Sequence, residues 1–291
     1  MPSNISITQD TANPYSDSDI RYIYYNPLQV IAASNENISG GATQAQYYSS
    51  DGGGSWGQSS LPNVSGDSFQ SDPCVDWTSD GTAWALTIGV NGSETVLIVR
   101  SFKSIDAGKT WKYDSDVSGS QTGTDKPSLW IDHSSTATKD NMYAIWHLGA
   151  DTYVSVRKGT SGSWSVPLLI TGAETTFTSD GSDIKTNLNG DVFAFWPNAG
   201  GNTMLMLKST NGGTSFDALG AAPIQISTTI GSVLLGIPAQ DVRGAFGIEG
   251  CLKYVSGGAY KTTTLDMVYA CWADLAGGTG CNWLPRSRIA T

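Results

Sequence analysis

The chain is 291 residues long, enough to bury a sizeable core without metal or disulfide staples. Its formal net charge of −10 leaves no basic stripe for a phosphate backbone and disfavours anionic membrane surfaces. Few charged residues (14%), 34 glycines, 10 tryptophans and 12 tyrosines suit short strands joined by tight turns and speak against long helices.

At the N-terminus, "MPSNISITQD" lacks the basic and apolar regions of a signal peptide. The expectation is a mature, exported protein, secreted or extracellular, on which the sequons at Asn4, Asn37, Asn63 and Asn91 would be surface sites. A first apolar strand is expected at "VIAAS" from Val30, followed by "SSDGGGSW" at 49–56. The same succession then returns. "WALTI" from Trp84 precedes "SIDAGKTW" at 104–111, and "YAIWH" from Tyr143 precedes a faded "GTSGSW" ending at Trp164. "FAFWP" from Phe193 precedes "STNGGTSF" at 209–216, and "YACWA" follows from Tyr269. The closing aromatics Trp56, Trp111, Trp164 and Phe216 stand 55, 53 and 52 residues apart. A further apolar stretch, such as "ETVLIVRSF" or "NTMLMLKST", leads into each octet. Each unit therefore reads strand, turn, strand, loop, strand, octet, strand, which is the content of one β-propeller blade. The predicted fold is all-β: one domain over 1–291, with four-stranded antiparallel blades at 14–66, 67–120, 121–174, 175–230 and 231–291. The longest apolar run, around "GSVLLGIPA", is too short to span a bilayer.

Two octets fit S-x-D-x-G-x-[ST]-W fully: Ser49, Asp51, Gly53 and Trp56, then Ser104, Asp106, Gly108 and Trp111. A third, Ser209, Asn211, Gly213 and Phe216, replaces the acid and the tryptophan. This pattern resembles the Asp-box, or bacterial neuraminidase repeat. Over nearly its whole length the chain looks like a member of the Asp-box β-propeller superfamily, which includes sialidases. The glycines can adopt positive φ, the acid can accept turn N–H groups, and the aromatic can pack beneath the turn. All three roles are structural, and the resemblance implies that the boxes lie opposite the active face. Five central strands favour five blades, with "NISITQD" as the outer strand of the last; a six-bladed ring like that of the family's sialidases, or a fragment of one, is the alternative.

Opposite the boxes, the approach to each first strand carries an acid: Asp19, Asp72, Asp125, Asp183 and Asp241, spaced 53, 53, 58 and 58 residues apart. Either each caps the loop leading into its strand, or the five form a carboxylate ring at the channel mouth, an oxygen-rich set suited to Ca2+. Second-strand exits add Trp146 with His147, Trp196, and Trp272 with Asp274, which either stack on sugar rings or fill the space between blades. No C-x-x-C pair suggests zinc, whereas Cys251, Cys271 and Cys281 lie close enough together for one local disulfide.

The sialidase machinery does not transfer. The Arg-Ile-Pro motif is absent, Arg21 is followed by Tyr22, and only Glu249 near Tyr254 resembles a nucleophile-plus-base pairing. Asp241, Glu249, Tyr254 and Arg243 remain as catalytic candidates if one site differs from the rest. Two functions follow: a propeller that binds a glycan or other small neutral ligand without catalysis, or a glycoside hydrolase or lyase with one site at the mouth. A protein-contact scaffold is a third.

Overall fold

The computed structural model describes residues 5–8, 15–38, 41–175, 181–198, 203–216, 223–227, 255–262, 266–274 and 282–288. Among the described residues there is no helix, and so none long and apolar enough to cross a membrane. Their strands form five antiparallel sheets in chain order. The first holds β1 (Tyr15–Ile23), β2 (Asn26–Ile38), β3 (Gly41–Ser49) and β4 (Gly57–Ser59); the second holds β5 (Phe69–Trp77), β6 (Ala83–Val90), β7 (Leu97–Ser104) and β8 (Lys112–Asp116). The third comprises β9 (Asp125–Ile131), β10 (Met142–Leu148), β11 (Asp151–Arg157) and β12 (Leu168–Leu169). The fourth comprises β13 (Asp183–Thr186), β14 (Val192–Asn198), β15 (Thr203–Ser209) and β16 (Ile224–Ser227). The fifth has β17 (Val255–Lys261), β18 (Asp266–Asp274) and β19 (Asn282–Arg288).

First strands β1, β5, β9, β13 and β17 contact one another in succession, so each sheet turns its first strand inward. The apolar core lies between sheets rather than within one. Ile23, Ile31 and Ala33 of the first sheet meet Val75, Trp77 and Ala85 of the second. Trp84 and Leu86 then meet Leu129, Ile131 and Met142, and Tyr143 and Ile145 meet Ile184, Val192 and Trp196. Phe193 and Phe195 meet Val255, Val268 and Ala270 of the fifth. A second strand is thus covered on both faces, which is why β6 is buried along all 8 of its residues and is apolar but for Thr87, whose hydroxyl donates to the Ser71 carbonyl.

The octets are the turns between third and fourth strands. Ser49 Oγ accepts the Gly53 N–H at 2.9 Å, and Asp51 Oδ1 accepts the Ser55 N–H at 2.8 Å. Ser104 with Gly108 (2.9 Å) and Asp106 with Thr110 (2.8 Å) repeat this, as do Ser209 with Gly213 (2.9 Å) and Asn211 with Ser215 (3.0 Å). Gly53, Gly108 and Gly213 have φ of 91°, 83° and 77°, a region open to glycine. Two closing aromatics reach further than the turn: Trp111 Nε1 donates to Ser59 Oγ and Trp164 Nε1 to Ser101 Oγ, each on the preceding sheet. In the faded third copy Arg157 holds the serine position, pairs with Asp114 and lies 4.5 Å from the Trp84 ring. Cys271 is a free thiol in mid-strand, hydrogen bonded across the ladder to the Ser256 carbonyl at 3.6 Å. It therefore does not join the local disulfide expected there; Cys251 and Cys281 lie outside the described residues.

Candidate ligand site at the axial mouth

Register within each sheet fixes which residues are equivalent. Tyr22, Trp77, Ile131 and Thr186 pair with Val30, Ala83, Met142 and Val192. Five residues before each stand Asp17, Asp72, Lys126 and Gly181, with φ of 49°, 53°, 47° and 75°. The left-handed region costs a non-glycine residue about 1–2 kcal/mol, least for Asp. Ladder register breaks at the same place, between Ser16 and Asp19 and between Ser71 and Cys74. Three successive first strands, β1, β5 and β9, therefore carry the same left-handed bulge, and Gly181 repeats its backbone just ahead of β13.

These segments line an open cleft of about 160 Å³, walled by Asp17 and Ser18, Asp72 and Pro73, Lys126 and Pro127, and Gly181 and Ser182. Lys126 Nζ lies 3.1 Å from Asp72 Oδ2 and 3.6 Å from Asp17 Oδ1. Asn35 Nδ2 donates to Asp17 at 3.0 Å and to Asp72 at 3.2 Å, while its Oδ1 accepts the Asp72 N–H at 2.9 Å. Burial holds the Asp72 carboxyl above the usual carboxylate range, against the pull of Lys126 and with a push from Asp125. Asp125 accepts the Lys126 N–H at 2.8 Å and has His147 Nε2 at 3.9 Å.

Below the bulges lies a second tier. Asp19 Oδ2 accepts the Val75 N–H of the next sheet at 2.9 Å, and Asp183 Oδ2 accepts that of Gly257 at 2.7 Å. Each pairs through Oδ1 with a cation two residues on, Arg21 at 2.7 Å and Lys185 at 2.5 Å. Asp76 likewise accepts the Ile131 N–H at 2.8 Å, and Asp132 accepts the Thr186 hydroxyl at 3.2 Å. Carboxylates on the first strands, or one residue past them at Asp132, thus staple each of the first four sheets to its successor. Burial raises the Asp19 carboxyl despite Arg21 beside it.

The predicted ring of equivalent acids is corrected by these positions. Asp19 and Asp183 are equivalent staples, and Cys74 and Ser128 take their place in the second and third sheets. Asp72 and Asp125 sit higher, at the mouth, because the bulge inserts residues between the two tiers. Equal spacing in sequence hid this difference. Asp17, Asn35 and Lys126 join the mouth unforeseen; the left-handed positions that place them are marked in residue type only by two aspartates and Gly181. Among the described residues no group of three His, Cys, Asp or Glu converges to hold a metal ion, and the Lys126 ammonium fills the space between Asp17 and Asp72.

Trp146 and Trp196 are fully buried, and their indoles donate to Gln121 Oε1 (2.9 Å) and Thr175 Oγ1 (3.0 Å). They fill space between sheets and present no face to a sugar. His147, next to Trp146 in sequence, is buried with its Nε2 3.9 Å from Asp125 Oδ2. Trp272 and Asp274 lie on β18, but their side chains fall outside the described residues, as do Asp241, Arg243, Glu249 and Tyr254 altogether.

No family model and no curated protein matches the sequence. Solved structures do. The NanB sialidase of Streptococcus pneumoniae superposes with a TM-score of 0.58 at 9% identity, over 97% of this chain and 62% of the sialidase. A leech intramolecular trans-sialidase gives 0.61 at 10%, over 97% and 62%. The Penicillium chrysogenum α-L-arabinanase gives 0.58 at 12%, over 98% and 86%. The fold is a sialidase-like β-propeller. The chain spans 62% of the length of either sialidase, and likeness at such identities concerns the fold alone. The propeller's mouth cleft is built from this chain's own bulges.

Proposed function

We propose that the propeller, an Asp-box protein of five blades, binds a neutral saccharide at its axial mouth and does not cleave it. The observation that carries the reading is the shared backbone: all four equivalent residues are left-handed, three of them without being glycine, and they line one cleft with Asp17, Asp72 and Lys126. Strain repeated at one level is a mark of a site rather than of a scaffold. The side chains offer hydroxyl groups both donors and acceptors, and two carboxylates against one ammonium leave the excess charge negative, which suits a sugar without a carboxylate. Every carboxylate of the described mouth is already engaged by a cation, an amide or a backbone N–H, which leaves none poised as a free base. The propeller neighbours support a carbohydrate ligand: the arabinanase was solved with arabinobiose and a galactanase with galactotriose. We place the protein outside the cell, where such polysaccharides are met.

One observation favours the second reading, a glycoside hydrolase. The Asp72 carboxyl is held above the usual range by burial, as a general acid must be. A neutral and sialylated glycan array, with calorimetry on the hits and a fluorogenic glycoside panel, separates the two. Binding of neutral oligosaccharides, lost in Asp17→Ala and Lys126→Met and without turnover, is expected. Turnover abolished by Asp72→Asn would replace binding by hydrolysis, and preference for sialylated glycans would refute the neutral mouth.

A further inference from the structure

Two junctions between successive sheets share one plan at their outer edge and differ in how it is finished. Gln46 and Ser101 each stand three residues before their box serine, and they pair with Ser59 of β4 and Ser115 of β8. Two residues further on, Leu61 and Val117 are both buried between sheets. In the first junction Val64 follows three residues later and packs on the same cluster as Leu61 and the closing aromatic Trp111, which is buried. In the second junction that count falls on Ser120, which is exposed, directly after Gly119. The closing aromatic there, Trp164, is only half-buried.

The space left open is a cleft of about 440 Å³ beside β8 and β12, at the opposite edge of the second and third sheets from the strands that build the mouth. That size lies within the range of about 300–1,000 Å³ typical of small-molecule sites. Trp164, Val166 and Pro167 give the cleft apolar surface, and the Trp164 ring is fixed because its Nε1 donates to Ser101 Oγ at 3.2 Å. Ser120, Ser165 and Gln121 give it polar groups. Gln121 Oε1 accepts the Trp146 indole N–H at 2.9 Å, which orients the side chain and leaves its amide N–H groups as donors. The acid on the wall, Asp116, is already held by Arg100 and by the Tyr113 hydroxyl, so it offers a charged ligand no unengaged partner.

We infer that this cleft is a second saccharide site, for a neutral oligosaccharide that stacks one ring on Trp164 while its hydroxyl groups bond Ser120, Ser165 and Gln121. An aromatic surface beside oriented hydroxyl and amide groups, with no charge left to answer, matches the apolar face and the hydroxyls of a sugar. A peptide strand added to the sheet edge is disfavoured, because the N–H groups of Val117 and Ser118 both turn inward to the Val99 carbonyl, at 2.8 and 3.5 Å. The closing aromatic, a structural plug at the first junction, serves a ligand at the second. The site shares no residue with the mouth, so either can fail without the other.

Two-dimensional proton–nitrogen NMR spectra of the full chain, titrated separately with arabinobiose, galactotriose and xylotriose, test it. The Trp164 indole signal is assigned by its loss in Trp164→Phe, and it should shift saturably with at least one of these sugars. Ser120→Trp fills the cleft from an exposed position and should raise the half-saturating concentration about tenfold or more, the worth of one aromatic contact, with Tm unchanged. Lys126→Met, which disables the mouth, should leave the Trp164 titration as it is. No saturable shift with any of the sugars would overturn the inference, whatever the mouth binds and whether or not the variant folds. A shift that survives Ser120→Trp at full strength, or that glycerol reproduces, would overturn it too. A proline-rich peptide that moves the Trp164 signal where the sugars do not would assign the cleft to a peptide and overturn the saccharide.

Discussion

Asp183→Ala should be among the most damaging single substitutions in the inner strands. The carboxylate is buried and accepts from the Ile184 N–H at 2.8 Å, Ser128 Oγ at 3.0 Å, Lys185 Nζ at 2.5 Å and the Gly257 N–H at 2.7 Å. It joins the third, fourth and fifth sheets through one group. Removing it strands the buried Lys185 ammonium, and breaking a buried pair in this way costs about 3–5 kcal/mol. For a chain of this size that lowers Tm by roughly 10 °C, at about 2–4 °C per kcal/mol. Asp125, by contrast, has a side chain 42% exposed and accepts the Lys126 N–H, so Asp125→Ala should cost about 1 kcal/mol. Lys185→Met on top of Asp183→Ala removes the stranded charge and should recover part of the loss. Urea unfolding followed by tryptophan fluorescence measures all three variants. Equal losses for Asp183→Ala and Asp125→Ala, or no recovery in the double variant, would refute the two-tier reading.

Three further outcomes follow from the same contacts. A Cβ on Gly108 would meet Ile31 Cγ2 at 2.8 Å with φ at +83°, so Gly108→Ala should cost about 2–4 kcal/mol in chemical unfolding, strain plus overpacking. Gly159→Ala, left-handed but in open space, should show the strain alone. Gln46 is buried with neither amide atom hydrogen bonded, so Gln46→Met should be neutral or stabilising by about 1 kcal/mol; a loss above roughly 2 kcal/mol would show the amide to be satisfied. The hydroxyl and N–H of Ser55 and the hydroxyl of Ser49 hold the Asp51 carboxyl down to about 2, below its unfolded value, so its contribution to stability is present above about pH 4 and fades as pH falls towards 2. Asp51→Asn should flatten that part of the acid-unfolding profile, and an unchanged profile would refute the turn's role.

The repeat was legible in residue types alone. Spacing of the closing aromatics located the turns, because a backbone that must adopt positive φ at Gly53, Gly108 and Gly213 leaves its mark in residue type. The apolar strands were legible for the same local reason. What those strands face depends on the packing of whole sheets: Trp146 and Trp196 look like sugar platforms in one dimension, yet a second strand lies between two neighbouring sheets, which bury both. The tertiary structure also decided the level of each acid. A bulge formed by Asp17, Asp72 and Lys126, residue types with no strong left-handed signature beyond Asp itself, displaces the mouth from the staples below it. Counting residues cannot see that displacement, because it arises from how the inner strands pair and meet around their common centre.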